Sequence, residues 1–207
     1  MTQFASHDDF AARMGLTLTA DEQTRADTLL TLASGLIIEA TGQVIALVTD
    51  DTYEAPSIYG DRLRLPQRPV VSVSEVSLTP TGGSPSVIDP TTYYLDGGEL
   101  VRSRFPLGYE LVFRNYGQGW LGPYWTISVT YTHGYASDAI PSVVKTVCME
   151  AVRRVWVNPG GAISSTIGDS QAAYGNDAPS GLLLTAKETA RLNDVLLGYQ
   201  SGTVTLR

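Results

Sequence analysis

The sequence predicts an α+β fold: a helical body, built from N-terminal helices plus two C-terminal helices, with a central antiparallel β module inserted between them. Three observations predict it. Apolar residues recur at helical spacing before about residue 48 and again after residue 140. Short β-rich runs separated by Gly, Pro, Asn and Asp fill the interval. A strand-like run, WTISVTYTHGY, then passes through Ile140-Pro141 straight into an amphipathic helix. On this reading residues 1–48 and 137–200 form the body, 49–136 the β module, and 201–207 a short strand-like tail.

The first helix is expected to open on Ser6 as its cap and to end near Met14-Gly15. The second opens on a capping box, Thr19-Ala20-Asp21-Glu22, in which the hydroxyl and the carboxylate each accept from a backbone amide that the helix leaves free. Its apolar positions Ala26, Leu29, Leu30, Ala33, Ile37 and Ala40 follow three- and four-residue steps, so one face must pack on something. Gly42, after Thr41, offers the left-handed position that ends many helices.

Candidate strands follow at Thr52–Ile58, Arg62–Leu65, Val70–Leu78, Ser86–Ile88, Tyr93–Leu95, Glu99–Arg102, Glu110–Phe113 and Trp125–Thr132. Asp96-Gly97-Gly98 is a hairpin turn between two of them. Thr79 to Pro85 reads as an exposed loop tip, and Asn115 to Pro123 as a Gly-rich loop carrying Tyr116 and Trp120. In the last strand Ile127, Val129 and Tyr131 alternate with Thr126, Ser128, Thr130 and Thr132, the period of a half-buried strand.

Pro141 suits a first helical turn, where its missing N–H costs nothing, and Asn158-Pro159-Gly160-Gly161 is a stop. Between them Val144, Val147, Cys148, Ala151 and Val155 recur at helical spacing. Residues 162–180 read as irregular and polar. A further capping box, Thr185-Ala186-Lys187-Glu188, opens a helix whose apolar positions are Ala190, Leu192, Val195, Leu196 and Tyr199. Gly202 to Arg207 has strand propensity without a hairpin partner. It is a candidate for pairing with another chain, the alternatives being that it joins the chain's own sheet or frays.

Composition narrows the function classes. The 207 residues suffice for one substantial core, and 43% hydrophobic content is that of a folded globular protein. A net charge of −7, with no basic cluster beyond a local pair, argues against gripping phosphate backbones by counterion release. The single cysteine, Cys148, cannot form an intramolecular disulfide, which is compatible with a reducing compartment. No apolar run is long enough to span a bilayer, and MTQFASHDDF is acidic and polar rather than signal-like. The expectation is a soluble, unsecreted protein with no membrane partner.

The search for chemistry assigns no catalytic, cofactor-binding or metal-ligating residue. The imidazoles are His7, near a floppy terminus, and His133, in a turn after a strand where packing or hydrogen bonding explains it better than catalysis. No nucleophile elbow, phosphate loop, dinucleotide fingerprint, zinc spacing or EF-hand pattern occurs. Asp96 is explained by its turn, Glu99 and Glu110 by solvent-facing strand positions, although a glycosidase would need two such acids across a cleft. Tyr93, Tyr94, Tyr109, Tyr116, Trp120, Tyr124 and Trp125 read as core and interface residues, with a sugar-binding platform as the alternative.

The order of segments resembles the head-to-tail adaptor (connector) proteins of long-tailed phages, especially those of actinobacterial phages and prophages. The resemblance rests on Ala40-Thr41-Gly42-Gln43, Val48-Thr49-Asp50-Asp51, the run from Leu63 to Val70 (LRLPQRPV), and the run from Val129 to Tyr135 (VTYTHGY). It continues through Ile140-Pro141, the helix to Asn158-Pro159-Gly160, Thr166-Ile167-Gly168-Asp169 and Leu184-Thr185, and so covers most of the chain. It implies a structural protein of the virion neck, assembled in the host cytoplasm, with roughly twelve copies closed into a ring below the portal. Such a ring extends the DNA channel and provides the platform for the stopper or tail. The implied partners are the portal protein, a stopper or other neck or tail protein, further copies of itself, and genomic DNA passing without specific binding. The helices would make the ring wall, and an acidic lining would let DNA slide. No cofactor is implied. The tail residues Thr203, Val204, Thr205, Leu206 and Arg207 are the expected portal-binding segment, docking by strand addition. The alternative is a carbohydrate-binding or hydrolytic tail accessory that uses the aromatic and acidic residues of the β module.

Overall fold

Four helices and antiparallel strands make up the computed structural model, which describes residues 3–56, 61–102, 120, 125–159, 164–167, 170–173 and 181–198. The chain divides into two compact units. One is Met1–Gln43 with Ser137–Arg207, and the other is Val44–Ala136.

In the helical unit, α1 (His7–Met14) and α2 (Ala20–Thr41) both start on reciprocal caps, the one expected at Thr19 and a second at Ser6, where only a simple cap is expected. Asp9 closes the first box and Glu22 the second, and both helices end on a left-handed glycine, Gly15 and Gly42. The third helix, α3 (Ser142–Val157), begins one residue later than expected. Pro141 is its N-cap, outside the first turn, and provides no side-chain cap. The fourth, α4 (Ala186–Leu197), opens on the Thr185–Glu188 box and ends on Gly198. The core of this unit collects Phe10, Ala26, Leu30, Ala33, Ile37, Val144, Val147, Cys148, Ala151, Val152, Leu192 and Leu196.

Three expectations about helix faces are corrected. On α2 the buried stripe takes Ser34 and Thr41 in place of Leu29, which is half-buried, and Ala40, which is exposed. Both hydroxyls donate to the carbonyl one turn back, Ser34 Oγ to Leu30 O and Thr41 Oγ1 to Ile37 O at 2.7 Å each, so they enter the core already satisfied. On α3, Val152 is buried and Val155 only half so. On α4, Leu192 and Leu196 face inward while Ala190 and Val195 are exposed; Tyr199 lies outside the described residues. The segment read as irregular also contains a hairpin, labelled β8 (Ser164–Ile167) and β9 (Ser170–Ala173) below.

Among the described residues the β unit holds seven strands: β1 (Val48–Pro56), β2 (Arg62–Arg64), β3 (Val70–Pro80), β4 (Ser86–Val87), β5 (Tyr93–Asp96), β6 (Glu99–Arg102) and β7 (Trp125–His133). They form an antiparallel sheet of order β1-β7-β3-β4 and a second of order β2-β6-β5. The first strand starts earlier than expected, at Val48, and Ser57 and Ile58 lie outside the described residues. The third runs on to Pro80, so the loop after it is shorter than expected. The proposed strand Glu110–Phe113 is also outside the described residues. Gly97 and Gly98 join β5 to β6 with φ of 57° and 83°, the two positive values a tight primed turn requires.

Both sheets contribute to one apolar core. Leu63, Leu65 and Leu100 come from the smaller sheet and its flank; Val76, Leu78, Ile127, Val129 and Tyr131 from the larger; Ile88 and Trp120 complete it. The alternation expected along β7 is present, with Ile127, Val129, Tyr131 and His133 all buried. At its end Gly134 has φ 88°, and a Cβ there would stand 2.3 Å from the Ala46 carbonyl oxygen, so only glycine fits.

Candidate functional site

Among the described residues, His7, His133, Cys148, Asp96 and Glu99 each have a hydrogen-bond partner. His7 is not at a floppy end: it begins α1, and its Nδ1 lies 3.0 Å from Asp27 Oδ2 on α2. Gln3 Nε2 donates to the same carboxylate at 3.0 Å, and this amide leads the causes that hold the Asp27 pKa below the ordinary range. His133 likewise is no loop residue. It is the last residue of β7 and is buried; its Nε2 is 3.1 Å from Asp51 Oδ2, while Nδ1 has no hydrogen-bond partner among the described residues. Ser74 Oγ donates to the neighbouring acid, Asp50 Oδ1, at 2.8 Å.

Cys148 is buried beside Ser34 Oγ, 3.6 Å away, and desolvation pushes its pKa up to about 11. A thiol so placed is a poor nucleophile at neutral pH. Of the three acids considered for glycoside hydrolysis, Asp96 and Glu99 both accept from Arg62 Nη1, at 3.0 and 3.3 Å, and those hydrogen bonds raise the arginine's pKa. Glu110 lies outside the described residues. Among the described residues, no group of three or more His, Cys, Asp or Glu could hold a metal ion.

The aromatic residues also divide. Trp120 is wholly buried in the β core with the Arg102 guanidinium 5.7 Å from its ring, so it is not part of an open platform. Tyr93 and Trp125 pack partly against that core and Tyr94 is exposed; Tyr109, Tyr116 and Tyr124 lie outside the described residues. An open cleft of about 320 Å³ is lined by Leu78, Val87, Ile88, Asp89, Arg102 and Trp125 among others. Its acid is already occupied, since Asp89 Oδ1 accepts from the Thr91 amide and hydroxyl, which lowers its pKa.

In the helical unit Leu32 and Val195 are large apolar side chains turned outward from α2 and α4. In the β unit Val71, Val87 and Tyr94 are exposed, and β1 and β4 are the outer strands of the larger sheet. The tail residues Thr203 to Arg207 lie outside the described residues. No helix among the described residues is long and apolar enough to cross a membrane.

No protein-family model and no curated protein matches the chain by sequence. Among solved structures, the fold is similar to that of a chain in the neck of an empty gene transfer agent particle computed with C6 symmetry. The TM-score is 0.50 at 14% identity, covering 89% of this chain and 86% of that one. A chain in the virion of the native gene transfer agent particle is also similar, with TM-score 0.49, 15% identity and coverage of 89% and 87%. So is one in the neck of the native particle computed with C12 symmetry, with TM-score 0.46, 14% identity and coverage of 80% and 81%. At such identities the likeness is one of fold.

Proposed function

We propose that this chain is a structural virion protein of the neck. It is a head-to-tail adaptor that forms a ring below the portal, extends the DNA channel and provides the docking platform for the stopper or tail. The observation that carries this reading is the fold shared with a chain from a gene transfer agent neck over 89% of the residues. The ordered sequence signatures from Ala40 to Thr185 point the same way. So does the use of His7, His133 and Cys148 in packing and hydrogen bonding, which leaves surface as the working part of the molecule. The charge of −7 suits a channel through which DNA slides without being held.

In this account the segment Thr203 to Arg207 attaches the ring to the portal by adding a strand to a portal sheet. The test uses capsids that carry portal but lack this protein. The purified chain is expected to co-sediment with them at a fixed stoichiometry and to restore tail joining, whereas a chain left in the supernatant would overturn the adaptor reading. Deleting residues 202–207 is expected to cut attachment at least tenfold; undiminished attachment would remove the strand-addition step and leave the ring untouched.

A further inference from the structure

The longest helix has two apolar stripes, one buried and one that is covered only in part among the described residues. Ala26, Leu30, Ala33 and Ile37 are buried. Alongside them Leu29, Leu32, Leu36 and Ala40 follow the same three- and four-residue steps; Leu29 and Leu36 are half-buried, while Leu32 is 54% and Ala40 likewise exposed. Gly35 lies beside them inside the helix, and a Cβ built on it meets nothing within 4 Å. A glycine in mid-helix weakens the helix, and this one relieves no crowding inside the chain. It makes room for something from outside.

Charge indicates what that is. The outer face of α2 carries two exposed acids, Asp21 and Glu39, with no hydrogen bond or ion pair among the described residues. The outer face of α4 carries the complement, in the exposed Lys187, Ala190, Arg191 and Val195, the last 41% exposed. Lys187 and Arg191 also lack an ion-pair partner among the described residues, whereas Arg154 beneath them is paired with Glu188. Register follows from the helix rise of about 1.5 Å per residue. With Val195 opposite Leu32 and the helices antiparallel, Lys187 stands about 12 Å along and Glu39 about 10.5 Å along, within reach of each other. In the parallel sense Lys187 would stand level with Arg25, with Asp21 about 4.5 Å beyond it, and Glu39 would have no basic residue opposite. Asp194, the one acid on the α4 face, falls next to Val195 and away from Glu39.

We propose that the outer face of α2 in one copy receives the outer face of α4 from a second copy of this chain. Because the two faces differ, the contact is heterologous and repeats around a closed ring. This deepens the adaptor reading and rests on it for the ring, but not for the contact itself.

The test uses the full chain carrying Leu32→Cys and Val195→Cys, oxidised both free and on portal-bearing capsids, with wild-type melting behaviour as the check on folding. A ladder of disulfide-linked multimers on capsids is expected, at least tenfold above that of either single variant. The charge swaps Glu39→Lys and Lys187→Glu should each reduce ring formation at least tenfold, and together restore most of it. Multimers linked in solution without any capsid attachment would uphold the contact and sink the portal reading. Wild-type rings on capsids with no 32–195 linkage would overturn the contact and leave that reading standing. Dimers of the Leu32→Cys single variant would assign the face to a symmetric contact. Protection of the thiol introduced by Leu32→Cys from maleimide in the isolated monomer would assign it to the chain's own residues. Either result overturns the proposal.

Discussion

The helical unit and the β unit handle their polar groups in opposite ways. In the helical unit polar side chains close helix ends and tie helices together, through three capping boxes, the Arg154–Glu188 pair and the link from Arg13 to Glu150. Its core is mostly apolar, the buried polar residues being Gln43 and the hydroxyls of Ser34 and Thr41 that bond within their own helix, and its outer faces keep charges to spare. In the β unit polar groups are drawn inward. His133 is buried against Asp51, Trp120 and Tyr131 are fully buried with their polar atoms inside, and the Gly134 turn fits against Ala46 with no room for a side chain. The difference teaches where each unit can tolerate change: the β unit is intolerant inside, and the helical unit is informative outside.

The largest effect expected to sharpen that contrast is at Trp120. Replacing it with alanine removes a wholly buried indole and should destabilise the β unit by about 3–5 kcal/mol in denaturant unfolding. A loss under about 1 kcal/mol would mean the ring is not a core anchor, and would return it to the surface role that a carbohydrate platform requires.

A smaller loss is expected at the α4 cap. Thr185→Ala should cost about 1 kcal/mol, because the Glu188 amide loses the hydroxyl it donates to at 3.2 Å. This site also predicts a pH response. Burial acts to raise the Glu188 pKa, but Arg154 and the Thr185 amide and hydroxyl outweigh it and hold it below the ordinary 4.5. A depressed carboxylate contributes stability that is present above that ordinary value and is lost as pH falls through the lowered one. Unfolding measured from pH 6 downward should therefore weaken below pH of about 4.5, less steeply in Thr185→Ala than in wild type. Equal slopes would show that the cap does not set the titration.

The smallest expected change is a gain. Gly35→Ala adds a methyl where nothing stands within 4 Å and should raise the stability of the monomer by about 0.5–1 kcal/mol. If the glycine is there for a neighbouring copy, the same variant assembles less well. A more stable variant that assembles normally would break the link between the outer face of α2 and the ring.

Much of this was legible in the sequence because it is local. The capping boxes at Thr19 and Thr185, the cap at Ser6, the Gly97-Gly98 hairpin and the alternation along β7 depend on residues within a few positions of one another, whereas the box that Asp9 completes with Ser6 emerges only from the structure. What was not legible is non-local or lacks an apolar signal. The β8–β9 hairpin is built from SSTI and SQAA, which show no alternation to read. The burial of His133 depends on Asp51, 82 residues away in sequence. On α2 the face assignment slipped because serine and threonine count as polar in a pattern, although Ser34 and Thr41 satisfy their hydroxyls inside the helix and are buried. That slip also concealed the second stripe, since Leu29 and Ala40 had been assigned to the core.

The most direct measurement is the structure, by electron cryomicroscopy, of the full chain bound to portal-bearing capsids. The account predicts a closed ring below the portal in which Leu32 and Glu39 of each copy face Val195 and Lys187 of the next. A ring whose subunits meet elsewhere, or particles with no added density at the portal vertex, would contradict it.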